Sequence, residues 1–113
     1  VVSPHHLATA AGARVLERGG NAFDAAVAVS ACLAVVYPHM TGVGGDAFFL
    51  SYHASDGEVR AYNASGRSGG EAAIEAFADA EAIPTRGPRS AITVPGMVDG
   101  WHAVQNLPVH PAG

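Results

Sequence analysis

The chain is 113 residues long, with ten acidic residues against six basic ones, and its formal charge is −4. All the basic residues are arginine, and none of them forms a run or a stripe interleaved with aromatics. A phosphate-neutralising, nucleic-acid-binding surface is therefore poorly supported. A chain of this size can bury roughly 65% of its unfolded surface, enough for a core.

Ser3-Pro4 reads as a helix start. The serine oxygen can accept from a free first-turn N–H, and proline is tolerated where its missing donor is not needed. Leu7, Ala8, Ala11, Val15 and Leu16 then recur at helical spacing before Gly19-Gly20, which predicts a helix over about 4–18. Asn21 opens a second helix, with Asp24 placed to face the first-turn amides and the positive helix end. From Ala22 to Val36 only Asp24 and Ser30 are polar. The run falls short of the roughly 18 apolar residues of a membrane span, so no span is expected. It predicts a helix buried on nearly all sides, which needs layers around it. Pro38 ends it.

Thr41-Gly-Val-Gly-Gly-Asp46 is a flexible bend. Ala47 to His53 and Glu58 to Asn63 read as strands joined at Asp56-Gly57, a hairpin signal. Phe48, Leu50 and Tyr52 share one face while Phe49, Ser51 and His53 share the other, so both faces are expected to be at least partly covered. A polar, glycine-rich segment, 63–70, precedes a predicted helix from Glu71 to about Asp79. Residues 83–89 are irregular and 91–94 extended. Pro95-Gly96 opens a last helix to about Asn106, whose packing face is Met97, Trp101 and Val104. Leu107 to Gly113 has no periodic pattern that would close a fold. The order helix–helix–strand–strand–helix favours a mixed, layered α+β fold.

Several sites suggest themselves and are weakened on inspection. The glycines at 42–45 are followed by a strand, whereas phosphate-binding loops lead into a helix, so a structural bend is the better reading. The six histidines are scattered, and no set has metal-ligand spacing, so neither a metal nor a cofactor is expected. Cys32, the only cysteine, lies in the apolar run and reads as an inert core thiol; an intrachain disulfide is excluded. Ser3, Ser30, Ser51 and Ser65 carry no sequence signal tying them to a base, and no catalytic residue is assigned. The chain begins without a basic segment ahead of an apolar one, so no secretion signal is read in it. Arg67 stands among glycine and small polar residues just past a strand. Its guanidinium is either a fork for a carboxylate or a solvent-facing, structural group.

Four blocks lie in one order over most of the chain: Val1-Val-Ser-Pro-His-His-Leu-Ala8, Gly19-Gly-Asn-Ala-Phe-Asp-Ala-Ala-Val-Ala28, Pro38-His-Met-Thr-Gly-Val-Gly-Gly-Asp-Ala-Phe-Phe-Leu50 and Val94-Pro-Gly-Met-Val-Asp-Gly-Trp101. Together they resemble the start of the large subunit of gamma-glutamyltranspeptidases. The resemblance implies the four-layer αββα fold of N-terminal-nucleophile hydrolases, with residues 1–113 an amino-terminal segment of one such domain. It implies a small-subunit partner whose amino-terminal threonine, activated by its own amine, attacks a gamma-glutamyl amide and forms an acyl-enzyme. The segment alone would then be inactive, with the compartment left open. It also places Arg67 at the position that binds the glutamyl α-carboxylate. One departure stands beside it: the family's well-studied members have an acid and then Thr-Ala-Pro after this arginine, where this chain has Ser68-Gly69-Gly70. Acylases acting on cephalosporin or glutaryl side chains share the fold and are an alternative, as is a non-catalytic homologue that acts as a binding module.

Overall fold

The computed structural model describes residues 1–90 and 93–107. Helix α1 runs His6–Glu17 and α2 Ala22–Val36, strand β1 Ala47–His53 and β2 Glu58–Ala64, and helix α3 Met97–Gln105. The element order matches the α+β reading.

The first helix begins two residues later than Ser3-Pro4 suggests. His5 is its N-cap, with Nδ1 accepting from the Leu7 amide at 3.2 Å. The Ser3 hydroxyl donates instead to the His5 carbonyl at 2.9 Å and meets the Thr9 hydroxyl at 2.8 Å. A neighbouring ring nitrogen has taken the capping role, and the serine braces the chain ahead of it. At the far end Gly19 lies at φ 87°. The Gly20 amide returns to the Val15 carbonyl and the Gly19 amide to that of Leu16, both at 3.0 Å, the paired closure of a glycine-terminated helix.

The start of α2 follows the sequence reading. Asn21 Oδ1 accepts from the amides of Phe23 (2.8 Å) and Asp24 (3.0 Å), and Asp24 Oδ2 accepts from the Asn21 amide at 3.1 Å. This reciprocal box satisfies donors that the first turn leaves free. Helices α1 and α2 pack through small residues, Ala8, Gly12 and Ala25, all buried. A Cβ at Gly12 would lie 2.6 Å from Val29 Cγ2, so the two helices approach as closely as a side-chain-free position allows.

Strands β1 and β2 form an antiparallel hairpin with Ala47 opposite Ala64 and His53 opposite Glu58. Gly57 takes φ 73° in the turn, and its amide donates to the His53 carbonyl at 2.8 Å. Asp56 caps the turn by accepting from the Glu58 amide at 3.0 Å. The Arg60 guanidinium ion-pairs with Asp56 and, at 3.1 Å, with Glu58. The hydrogen bond from the Glu58 amide, with Arg60 nearby, holds the Asp56 carboxyl below the usual aspartate value. Helix α3 packs on both strands and on α2, with Met97, Gly100 and Val104 buried. The Trp101 indole N–H donates to Ser30 Oγ at 3.0 Å, tying α3 to α2.

Three expectations fail, for related reasons. Helix α2 is not enclosed, since Ala25 is its only buried residue among those described. One face of the hairpin is bare rather than partly covered: Phe48 is 70%, Leu50 78% and Tyr52 65% exposed. Helix α3 packs on the opposite face, against Ala47 and Phe49, and α2 reaches that face through Phe23 on His53, so among the described elements only that face is covered. The segment expected as a helix from Glu71 to Asp79 contains only a 3-10 turn, Ile74–Phe77. Its N-terminus has no side-chain cap, and Ile74 is 84% exposed. A short helix with no surface against which to bury its apolar side lacks the tertiary packing that would sustain it.

The chain is a slab of 60 × 31 × 17 Å with a radius of gyration of 17.3 Å, against about 13 Å for a compact domain of this length. Its 7922 Å² of accessible surface corresponds to burial of only about half the unfolded surface. A 3-10 turn at Pro88–Ser90 interrupts the irregular stretch. Of the predicted extended run, 91–94, residues 91 and 92 lie outside the described residues, as do positions 108–113 of the tail. No helix among the described residues is long and apolar enough to cross a membrane.

Candidate functional site

The polar segment after β2 turns back along the chain that enters α3. Ser68 bridges Thr93 in antiparallel fashion, and the Arg67 carbonyl accepts from the Val94 amide at 2.8 Å. The two segments touch at glycines. A Cβ on Gly66 would sit 1.4 Å from the Val94 carbonyl oxygen, and one on Gly96 would sit 2.3 Å from that of Ala64. Neither glycine has positive φ, so close backbone approach explains them, not a left-handed turn.

A third strut comes from the bend before β1. Asp46 Oδ1 accepts from the Gly66 amide and from the Thr93 hydroxyl, each at 3.2 Å. The Gly45 carbonyl accepts from the amides of Gly96 (3.1 Å) and Met97 (3.0 Å), and so serves the start of α3, whose N-cap Gly96 has no side chain to offer. The glycine bend at 42–45 is thus a structural dock for α3.

These struts frame an open cleft of about 490 Å³ whose lining includes Asn63, Ser65, Arg67, Ser68, Val94 and Asp99. The Arg67 side chain is exposed. Arg60 and Arg89 are committed to carboxylates, but among the described residues the Arg67 guanidinium has no ion-pair partner. A planar cation on a fixed backbone, at the edge of a cleft, suits a carboxylate approaching with two parallel acceptor oxygens.

The other candidates resolve differently. Ser51, given no base from the sequence, does meet one: its hydroxyl lies 3.0 Å from His53 Nε2. The pair is not an activated nucleophile. Arg60 Nη1 lies 3.2 Å from His53 Nδ1. A guanidinium only donates, so Nδ1 accepts and Nε2 carries the proton, which it gives to Ser51. His53 is 5% exposed and its ring lies tilted against that of Phe23, 5.3 Å between centroids; it is a satisfied core histidine. Cys32 is half-buried within α2. Among the described residues no group of three His, Cys, Asp or Glu side chains could hold a metal ion. Sequence reasoning missed Asp46 and Thr93, whose partners lie 20 and 47 positions away. The only available hint was an acid directly after the glycines of the bend.

The chain's fold is similar to that in the crystal structure of Helicobacter pylori gamma-glutamyltranspeptidase. That structure matches with a TM-score of 0.81 and 37% identity over 90% of this chain and 30% of that one. The class is therefore an N-terminal-nucleophile hydrolase, of whose α+β fold these residues form a part. The model of the gamma-glutamyltranspeptidase family matches residues 8–107, and the chain belongs to that family. It is 64% identical over 104 residues to the glutathione hydrolase-like YwrD proenzyme of Bacillus subtilis (strain 168), covering 92% of this chain and 20% of that protein. It is 49% identical over 100 residues to the oxamate amidohydrolase proenzyme of Klebsiella pneumoniae subsp. pneumoniae, covering 88% and 19%. The chain thus spans about a fifth of the length of these curated relatives.

Proposed function

We propose that the full-length protein carrying this segment cleaves, or transfers the acyl group of, gamma-glutamyl amides of the glutathione type, and that Arg67 binds the donor's free carboxylate. Residues 1–113 then belong to the large-subunit part of one hydrolase domain. The threonine nucleophile comes from a small subunit: its hydroxyl adds to the amide carbonyl, the amine leaves with a proton, and water or an acceptor amine releases the acyl group. The observation that carries the reading is the Arg67 guanidinium without an ion-pair partner among the described residues, at a cleft edge whose backbone is fixed by the Val94 amide at 2.8 Å.

A second reading has its own support. The 49% identity to an oxamate amidohydrolase exceeds the 37% to a Bacillus subtilis glutathione hydrolase, and Ser68-Gly69-Gly70 follow Arg67. Oxamate carries its carboxylate directly on the amide carbonyl. A donor that short would bring Arg67 close to the reacting carbon, whereas a gamma-glutamyl donor sets them several bonds apart. Both readings assign Arg67 the same ionic task at different reach. The test is the response of Arg67→Ala, in the full-length protein, to paired amide donors with and without the carboxylate.

A further inference from the structure

We infer that Asp46 is a positioning residue for carboxylate recognition, holding the Arg67 loop in register through the Gly66 amide; this rests on the assignment of Arg67 above. Three facts converge on it. One carboxylate oxygen, Oδ1, accepts from both Gly66 N and Thr93 Oγ1 at 3.2 Å, so a single acid joins the residue before Arg67 to the segment bridged to Ser68. Val94 N donates to the Arg67 carbonyl at 2.8 Å, which holds the residue's other flank. Gly66 has no room to shift toward Val94, since even a Cβ would lie 1.4 Å from that carbonyl. Arg67 therefore sits between two clips on a wall that cannot yield inward. Removing the acid clip leaves the loop held on one flank only, beside the open cleft.

Asp46 touches no substrate in this scheme. It acts through the backbone, as an ionised acceptor of amide and hydroxyl hydrogens, an interaction stronger than a neutral pair. Its loss disperses the guanidinium over many positions, so a fork-shaped contact is made less often while the chemistry at the threonine is untouched. Only donors that use the fork are affected. A residue needed merely for folding would harm every donor alike.

The test uses the full-length, processed protein and two amide donors that differ only in the carboxylate. Asp46→Ala should lower kcat/KM for the carboxylate-bearing donor by roughly 10- to 100-fold, the range for losing hydrogen bonds to a charged group. The change should fall on KM, and the donor lacking the carboxylate should change by less than about threefold. Asp46→Asn keeps an oxygen acceptor and should restore most of the loss. Thr93→Val, which removes one donor while keeping the side chain's shape, should give a smaller loss with the same donor dependence, and it reports on the scheme even where Asp46→Ala fails to fold. In an Arg67→Ala background Asp46→Ala should add almost nothing. Equal losses on both donors, or no loss on either while Arg67→Ala remains donor-selective, would overturn the role of Asp46. Donor-independent behaviour of Arg67→Ala would overturn the underlying assignment of Arg67 instead.

Discussion

Gly66→Ala tests the wall behind the cleft most severely for one added methyl group. The new Cβ would lie 1.4 Å from the Val94 carbonyl oxygen and 2.5 Å from its carbon, where real contacts essentially never fall below 3.0 Å. The obstacle is backbone, so no side chain can swing aside, and the two segments must part by well over an ångström. Parting them breaks the 2.8 Å bond from the Val94 amide to Arg67. Overpacking costs about 1–3 kcal/mol and the lost hydrogen bond about 1 kcal/mol. A local destabilisation of ~2–4 kcal/mol corresponds to roughly 30- to 900-fold faster exchange of the Val94 amide, provided that exchange follows local opening. Hydrogen exchange on the full-length protein measures it directly. Gly69→Ala is the internal control, since nothing lies within 4 Å of its added Cβ. If Gly66→Ala left Val94 protection within about threefold of the parent, the close approach described here would be wrong.

Asn21→Ala removes the acceptor at the head of α2 and should cost about 1 kcal/mol, read as faster exchange of the Phe23 and Asp24 amides with the end of the helix unchanged. The Asp79 carboxyl is held below its ordinary value of 3.8 chiefly by its hydrogen bonds to the Arg89 guanidinium. That contact's contribution to stability is therefore complete above about pH 3.8 and is lost as pH falls through the lower folded value. A carboxyl-detected NMR titration should show Asp79 with a midpoint below 3.8, moving back up in Arg89→Gln; a parent midpoint at or above the ordinary value would contradict the pairing.

What the sequence revealed follows the range of the interactions involved. The Asn21–Asp24 box and the Asp56-Gly57 turn are built from residues two to three apart, and both were legible. Trp101 and Val104 were placed correctly because helical spacing alone sorts them onto a packing face. Ser3 misled because two residues only two positions apart could cap the same helix, and the His5 ring won. The stretch from Glu71 misled because intrinsic propensity was read without the surface a short helix needs. Arg67 was visible only through its glycine-rich setting and the family resemblance. Its supports, Asp46 on one side and Thr93-Val94 on the other, come from two distant parts of the chain, and no local spacing announces them. The bare face of Phe48, Leu50 and Tyr52 shows the same limit, since alternation identifies an apolar face without saying what covers it.

The central claim is that Arg67 reads a substrate carboxylate, and kcat/KM of Arg67→Ala on paired donors tests it most directly. Removing one side of a desolvated ionic pair typically costs about 2–5 kcal/mol. In the full-length protein, the carboxylate-bearing donor should therefore lose roughly 30- to 5000-fold in kcat/KM. Arg67→Lys should recover only part of this, because an ammonium keeps the charge but not the fork. The matched donor without a carboxylate should be poor for the parent and nearly indifferent to the substitution. Equal losses on both donors, accompanied by damaged folding or self-cleavage, would make Arg67 a structural arginine, and a loss under about threefold on both would remove it from the site.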